Sequence, residues 1–192
     1  GITWTQRALP AAGSWRSVSF GNGVFVATRV GNTCAILALT NSLSSNSSYT
    51  ITISGITDCN GNAIATPTAS INYIVFDTPA FNDVIINEVM VDINPVPNGL
   101  PAKQYLELYN KTNKYFNLNG WKFSDGATTS TISTNYSFNP NSYVLIAKSA
   151  DTSGFVGITN KIGTSSFPTY NISGDPVFIY DNSGMVIDSI RY

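Results

Sequence analysis

Tyr105-Leu106-Glu107-Leu108-Tyr109-Asn110 alternates leucine with tyrosine and glutamate and then stops at an asparagine. A strand sends successive side chains to opposite faces, so this run places Leu106 and Leu108 together on one face. Short runs of the same kind, bounded by Gly, Asn, Pro and Ser, recur on both sides of it, and helical periodicity is absent almost everywhere. Strands are expected at 3–7, 15–20, 24–28, 34–40, 49–54, 70–76, 84–91, 104–110, 121–124, 142–147, 177–180 and 186–192. Turn signals separate them at Gly21-Asn22-Gly23, Asn60-Gly61-Asn62, Ser124-Asp125-Gly126 and Asp181-Asn182-Ser183-Gly184. Many short strands at this spacing predict an all-β chain built as sandwiches or barrels.

Composition narrows the function classes. Charged residues are only 11% of the 192, the net charge is −1 and the ten cations are scattered, which argues against a nucleic-acid partner needing clustered Lys and Arg. Hydrophobic residues make up 43%, enough to build a core despite the low charge. Apolar runs stay short of the eighteen residues or so that a membrane span requires. The opening Gly1-Ile2-Thr3 reads like the start of a mature fragment or an excised piece rather than a signal peptide.

The chain has no histidine, and its two cysteines, Cys34 and Cys59, have no C-x-x-C spacing. Two thiolates alone cannot complete a tetrahedral zinc shell. A disulfide between them is expected, contributing about 3 kcal/mol and pointing to an oxidising compartment. Two buried free thiols are the other reading. Without histidine a Ser-His pair is impossible, and no G-x-S-x-G occurs, so no enzyme activity is expected.

Asp77-Thr78-Pro79-Ala80 is the expected boundary, because a proline there follows a finished strand and precedes a new apolar run. It divides the chain into units 1–78 and 79–192. In the second unit, Ile85-Ile86-Asn87-Glu88-Val89-Met90, Tyr105-Leu106-Glu107-Leu108-Tyr109-Asn110 and Asn117-Leu118-Asn119-Gly120-Trp121-Lys122-Phe123-Ser124-Asp125-Gly126 are ordered and spaced as in the bacterial lamin-tail family, which the unit resembles. Gln104 stands where that family usually has an acid. The resemblance implies an Ig-like sandwich. Ile86, Val89, Leu106, Leu108, Leu118 and Trp121 supply inward faces, Trp121 alone burying some 200 Å². Gly120 allows a tight turn beside it, and Asn110 and Asp125 serve as turn residues. The stretch 138–142 is expected as a loop feeding the next strand.

Glu88 and Glu107 lie on neighbouring strands, and Asp92 closes the first of them. Paired carboxylates can act as an acid/base couple, and three oxygen donors can hold Ca²⁺. The plainer reading is that each bonds a backbone amide or a tyrosine hydroxyl and shapes the fold. No other cofactor is expected.

In the first unit, residues 48–62 resemble the end of a bacterial Ig-like domain, a kind that often precedes a lamin-tail domain in Bacteroidetes surface proteins. Tyr49, Ile51 and Ile53 alternate toward a core, and residues 58–62 form a Gly-containing turn. Asp58, Asn60 and Asn62 have the rhythm of a calcium loop without the later glutamate, so a tight turn is the simpler account. Residues 1–28 resemble one β-propeller blade. A lone blade cannot bury its faces, so these strands are expected to complete the first sandwich, or else the sequence is part of something longer.

The expected function is a non-catalytic structural, adhesion or assembly module of a bacterial surface or secreted protein. Its partners would be a protein or glycan of the cell envelope, or copies of itself, and its location extracellular or at the cell surface. One alternative is an accessory region of a larger secreted hydrolase or nuclease. Another is a self-assembling filament subunit using open strand edges. Asp188-Ser189-Ile190 fits a Bacteroidetes-type O-glycosylation triplet at Ser189, and Asn46, Asn110, Asn135 and Asn171 head N-x-S/T sequons. Such short patterns also arise by chance in so Ser/Thr/Asn-rich a chain.

Overall fold

The computed structural model describes residues 15–21, 24–29, 34–38, 43–52, 62 and 68–192. The expected strand at 3–7, the residues Asp58, Cys59 and Asn60, and therefore the expected disulfide lie outside the described residues. The chain divides into two compact units, Gly1–Val75 and Phe76–Tyr192. Both are β-structures.

In the first unit β1 (Trp15–Gly21), β2 (Val24–Arg29) and β3 (Cys34–Ala38) form an antiparallel three-stranded sheet in chain order. A second, two-stranded sheet pairs β4 (Ser47–Thr52) antiparallel with β5 (Thr68–Tyr73). Asn46, in the left-handed region at φ 56°, opens β4, and its Oδ1 accepts the N–H of Val75 at 3.0 Å. Asparagine suits this position because its short amide tolerates positive φ and bonds backbone locally.

The second unit is a sandwich. One sheet has the order β13-β12-β7-β6, from β6 (Val84–Met90), β7 (Tyr105–Asn110), β12 (Ser142–Lys148) and β13 (Lys161–Thr164). The other has the order β10-β9-β14-β15, from β9 (Lys122–Ser124), β10 (Thr129–Thr131), β14 (Pro176–Tyr180) and β15 (Val186–Arg191). A small pair, β8 (Phe116–Asn117) with β11 (Ser137–Phe138), stands beside them. Phe138, expected in a loop, is thus a strand residue and fully buried, and the turn begins after it.

Alternation decides what goes inside. Leu106 and Leu108 of β7, Val144 and Ile146 of β12, and Ile86 of β6 meet Phe123, Val177, Ile179 and Ile187 from the opposite sheet in one core. Leu118 and Trp121 are buried there too, Trp121 at 2% exposure with its ring 6.1 Å from that of Phe116. Each such side chain contributes about 1.5–3 kcal/mol on burial. Gly120, at φ +84°, turns the chain into Trp121, a conformation that an L side chain resists.

β7 is covered on its second face as well. β12 and β13 run parallel, which demands a crossover, and residues 149–160 supply it, beginning with a 3-10 helix at Ser149–Gly154. Phe155, leaving that helix, joins Tyr105, Leu145 and Ala147 in a second buried cluster. Gly163 of β13 admits the helix closely, since a Cβ there would stand 2.9 Å from Ser149 Cα.

Candidate functional site

The sequence directs attention to the carboxylates of β6 and β7. Glu88 and Glu107 stand directly opposite each other in the register, just past a bulge between Ile86 and Glu88. The bulge sets Asn87 and Glu88 side by side, and a donor on each carboxylate offsets part of the like-charge repulsion expected of facing acids. Glu107 Oε1 accepts Asn87 Nδ2 at 2.7 Å, and Glu88 Oε1 accepts the Tyr105 hydroxyl at 2.7 Å. Tyr105 is 2% exposed and packs edge-on to Phe155 at 5.5 Å. Its burial, then the Glu88 bond and the charges of Glu88 and Glu107, push its ionisation far above the ordinary range, so it serves as a fixed donor.

Asp92 goes elsewhere: its Oδ1 accepts the N–H of Asn94 at 3.0 Å. Among the described residues no three Asp, Glu, Cys or His side chains converge as a metal-holding group. Glu88, Asp92 and Glu107 are therefore not gathered into one shell, because the bulge and the Asn94 turn direct each carboxylate to a local donor. Asn62, from the other candidate calcium loop, is exposed.

Several side chains organise this unit more than those three do. Asp188, 9% exposed on β15, accepts Ile86 N–H at 2.7 Å through Oδ2 and Ser189 N–H at 2.8 Å through Oδ1. With Asn82 N–H donating to Ile187 carbonyl at 2.7 Å, this closes the edge of one sheet on the edge of the other. Ser189 itself is exposed on β15.

Asn110, fully buried at the end of β7, donates to the carbonyls of Lys114 and Asn139 at 2.9 Å and accepts from Thr112 N–H and hydroxyl at 3.0 and 2.7 Å. Its sequon is thus inaccessible, a correction with a plain cause: the amide is the hub of a turn. Asn135 and Asn171 are exposed. Asp125 makes its expected turn, accepting Ala127 N–H at 2.8 Å.

Gln104 explains its departure from the expected acid. Its Nε2 donates to the carbonyls of Tyr170 and Val91 at 2.7 and 3.1 Å, while its Oε1 accepts Tyr170 N–H at 3.0 Å. An amide both donates and accepts here, whereas an ionised carboxylate has no donor for the two carbonyls. The Tyr170 ring is buried in the core. Its hydroxyl has no hydrogen-bond partner among the described residues, and burial, ahead of Asp125, Tyr192 and Asp175, pushes its ionisation far up.

The second sheet's outer face carries Phe178 and Tyr180 with their rings stacked 5.9 Å apart. Sequence patterning gave no warning of it, because its signal is the placement of single residues across four strands. No helix among the described residues is long and apolar enough to cross a membrane.

Comparison with known families adds two matches. Residues 77–192 match the model of the Lamin Tail Domain, and residues 6–78 that of a bacterial Ig-like domain. No curated protein gives a significant match.

Proposed function

Since the chain belongs to the lamin tail domain family, with a bacterial Ig-like domain ahead of that region, we propose that it is a structural and adhesion module of a bacterial surface or secreted protein. The tandem of two β-units carries this reading: both families are typically non-catalytic, and modules of this kind act by presenting rigid surfaces. The use made of the acids supports it. Glu88, Glu107, Asp92 and Asp188 each hold a tyrosine, an asparagine or a backbone amide of the second unit in place. A carboxylate spent on orienting its own fold is a poor proton shuttle for a substrate.

Partners of this module are a glycan or protein of the cell envelope, reached outside the cell. The test is retention of such partners on the immobilised chain. Arrays of bacterial glycans and solubilised envelope fractions should yield a saturable ligand, whereas silence across both, or turnover of an offered glycan, would overturn the adhesive reading. The accessory-region alternative predicts instead that the chain raises the activity of a hydrolase encoded on the same polypeptide.

A further inference from the structure

The outer face of the β10-β9-β14-β15 sheet has an unusual composition for this unit. Phe178 and Tyr180 alternate with the buried Val177 and Ile179, so they point outward, half-buried, with rings 26° from parallel. Lys122 lies directly across from Tyr180 on one side, and Arg191 directly across from Pro176 on the other. Both cations are exposed, and neither has an ion-pair partner among the described residues. Exposed hydroxyl residues Thr129, Thr131 and Ser189 complete the rows.

No carboxylate of the described strands stands on this face. Asp188 turns inward to Ile86, and Asp125, Asp175 and Asp181, in the turns at the strand ends, accept the local backbone N–H groups of Ala127, Asn171 and Ser183. Residues 76–192 carry ten Asp and Glu against seven Lys and Arg, Lys122 and Arg191 included, so a face holding two cations and no strand acid runs against the unit's own balance.

We propose that this face binds an acidic polysaccharide, a polymer of carboxylate-bearing sugars; the proposal rests on the adhesive reading and names its ligand class. Pyranose rings present C–H faces that pack on the electron-rich faces of aromatic rings. Carboxylates pair with the Lys122 ammonium and, bidentately, with the Arg191 guanidinium. Sugar hydroxyls exchange hydrogen bonds with the threonines and Ser189. The two cations stand roughly 13 Å apart along the strands and about 10 Å apart across them, from the ordinary rise and strand spacing. That separation exceeds one sugar, so the ligand is a chain rather than a monosaccharide. Two cations are too few to track a nucleic-acid backbone, where each nucleotide brings a phosphate.

Affinity electrophoresis of the whole chain through gels containing polygalacturonate, alginate or neutral dextran tests this. The acidic polymers should retard the chain and dextran should not, and high salt should relieve the retardation. Lys122→Ala with Arg191→Ala should weaken retention about tenfold or more, as loss of charge-assisted pairs does. Tyr180→Ala should weaken it as well, while Tyr143→Ala, on the outer face of the other sheet, should not. Lys122 and Arg191 are exposed, so their double variant keeps the test valid even if Tyr180→Ala fails to fold. Retention of the double variant equal to the parent's would overturn this face as the site. No retention by either acidic polymer would overturn the ligand class, while the envelope and glycan arrays still decide the adhesive reading separately. Tighter binding of single-stranded DNA than of polygalacturonate would overturn the choice of a glycan.

Discussion

Asp188 of β15 and Ile86 of β6 are joined by a 2.7 Å bond from a backbone N–H to a buried carboxylate, 102 residues apart in sequence. Both strands are sheet edges, and β6 bulges just after Ile86, so this amide has no ladder partner on its open side. The carboxylate satisfies it and, through its other oxygen, Ser189 N–H. Asp188→Ala should lower stability by about 1.5–3 kcal/mol, the range for hydrogen bonds to a charged group. Asp188→Asn keeps one acceptor and should cost less. Urea unfolding midpoints of the three proteins check this order, and an Asp188→Ala midpoint equal to the parent's would refute the link.

Asp83 and Lys114 form a 2.7 Å ion pair, and Asp83 also accepts Ala80 N–H at 2.9 Å. Burial alone would raise the Asp83 carboxyl, but the Lys114 bond, the Ala80 bond and the charges of Lys114 and Lys111 outweigh it and hold it below its ordinary value. A folded-state value below the unfolded one means the contribution is present above about pH 4 and is lost as the pH falls further. Asp83→Asn should therefore destabilise at neutral pH, and the difference from the parent should close as the pH falls through the lowered folded-state value. Thermal unfolding of both proteins across that range is the measurement.

Asn110 should carry no glycan whatever the host, because its amide is buried and engaged. Intact mass of the chain expressed in a glycosylating host, with peptide mapping of residues 104–114, checks this. Asn110→Asp is nearly isosteric but sets a carboxylate against the Lys114 and Asn139 carbonyls. It should cost about 2–3 kcal/mol, more than surface changes, which stay within roughly 0.5 kcal/mol.

What the sequence makes legible follows from periodicity. Leu106 and Leu108 announce β7 because period-2 alternation against one core is a local signal, and Trp121 after Gly120 announces a buried turn. β10, a Thr-Ser-Thr run, and β8, a Phe-Asn pair, have too few residues to alternate, and they are strands only by pairing with the equally short β9 and β11. β13 contains Gly163, which weakens its local strand signal while serving helix packing. The carboxylates show the same division. Glu88 and Glu107 were readable as neighbours, but the Asn87 and Tyr105 donors that occupy them depend on a bulge that sequence does not display. Asp188 reads in sequence as the first residue of a modification triplet, and its bond to Ile86 is a long-range fact.

Gln104 tests whether a departure from a family pattern can be given a physical reason. Its amide donates to two carbonyls and accepts one N–H, fastening the chain at Tyr170 to the start of β7. Gln104→Glu, the residue usual in the family, would keep the acceptor but aim an ionised oxygen at the carbonyls of Tyr170 and Val91. The variant should lose about 2–3 kcal/mol at neutral pH, the cost of unmade bonds plus repulsion. Its introduced carboxyl is favoured in the protonated form, which restores one donor, so its folded-state value rises above the unfolded value near 4.3. Stability is then best below that value and declines as the pH rises through the higher folded one. The deficit against the parent should accordingly shrink between pH 7 and about pH 4, opposite in direction to that of a surface acid held by a lysine. Denaturant unfolding of parent, Gln104→Glu and Gln104→Ala at both pH values distinguishes these cases. A Gln104→Glu deficit that stays constant with pH would mean the side chain swings to solvent and the amide clasp is dispensable.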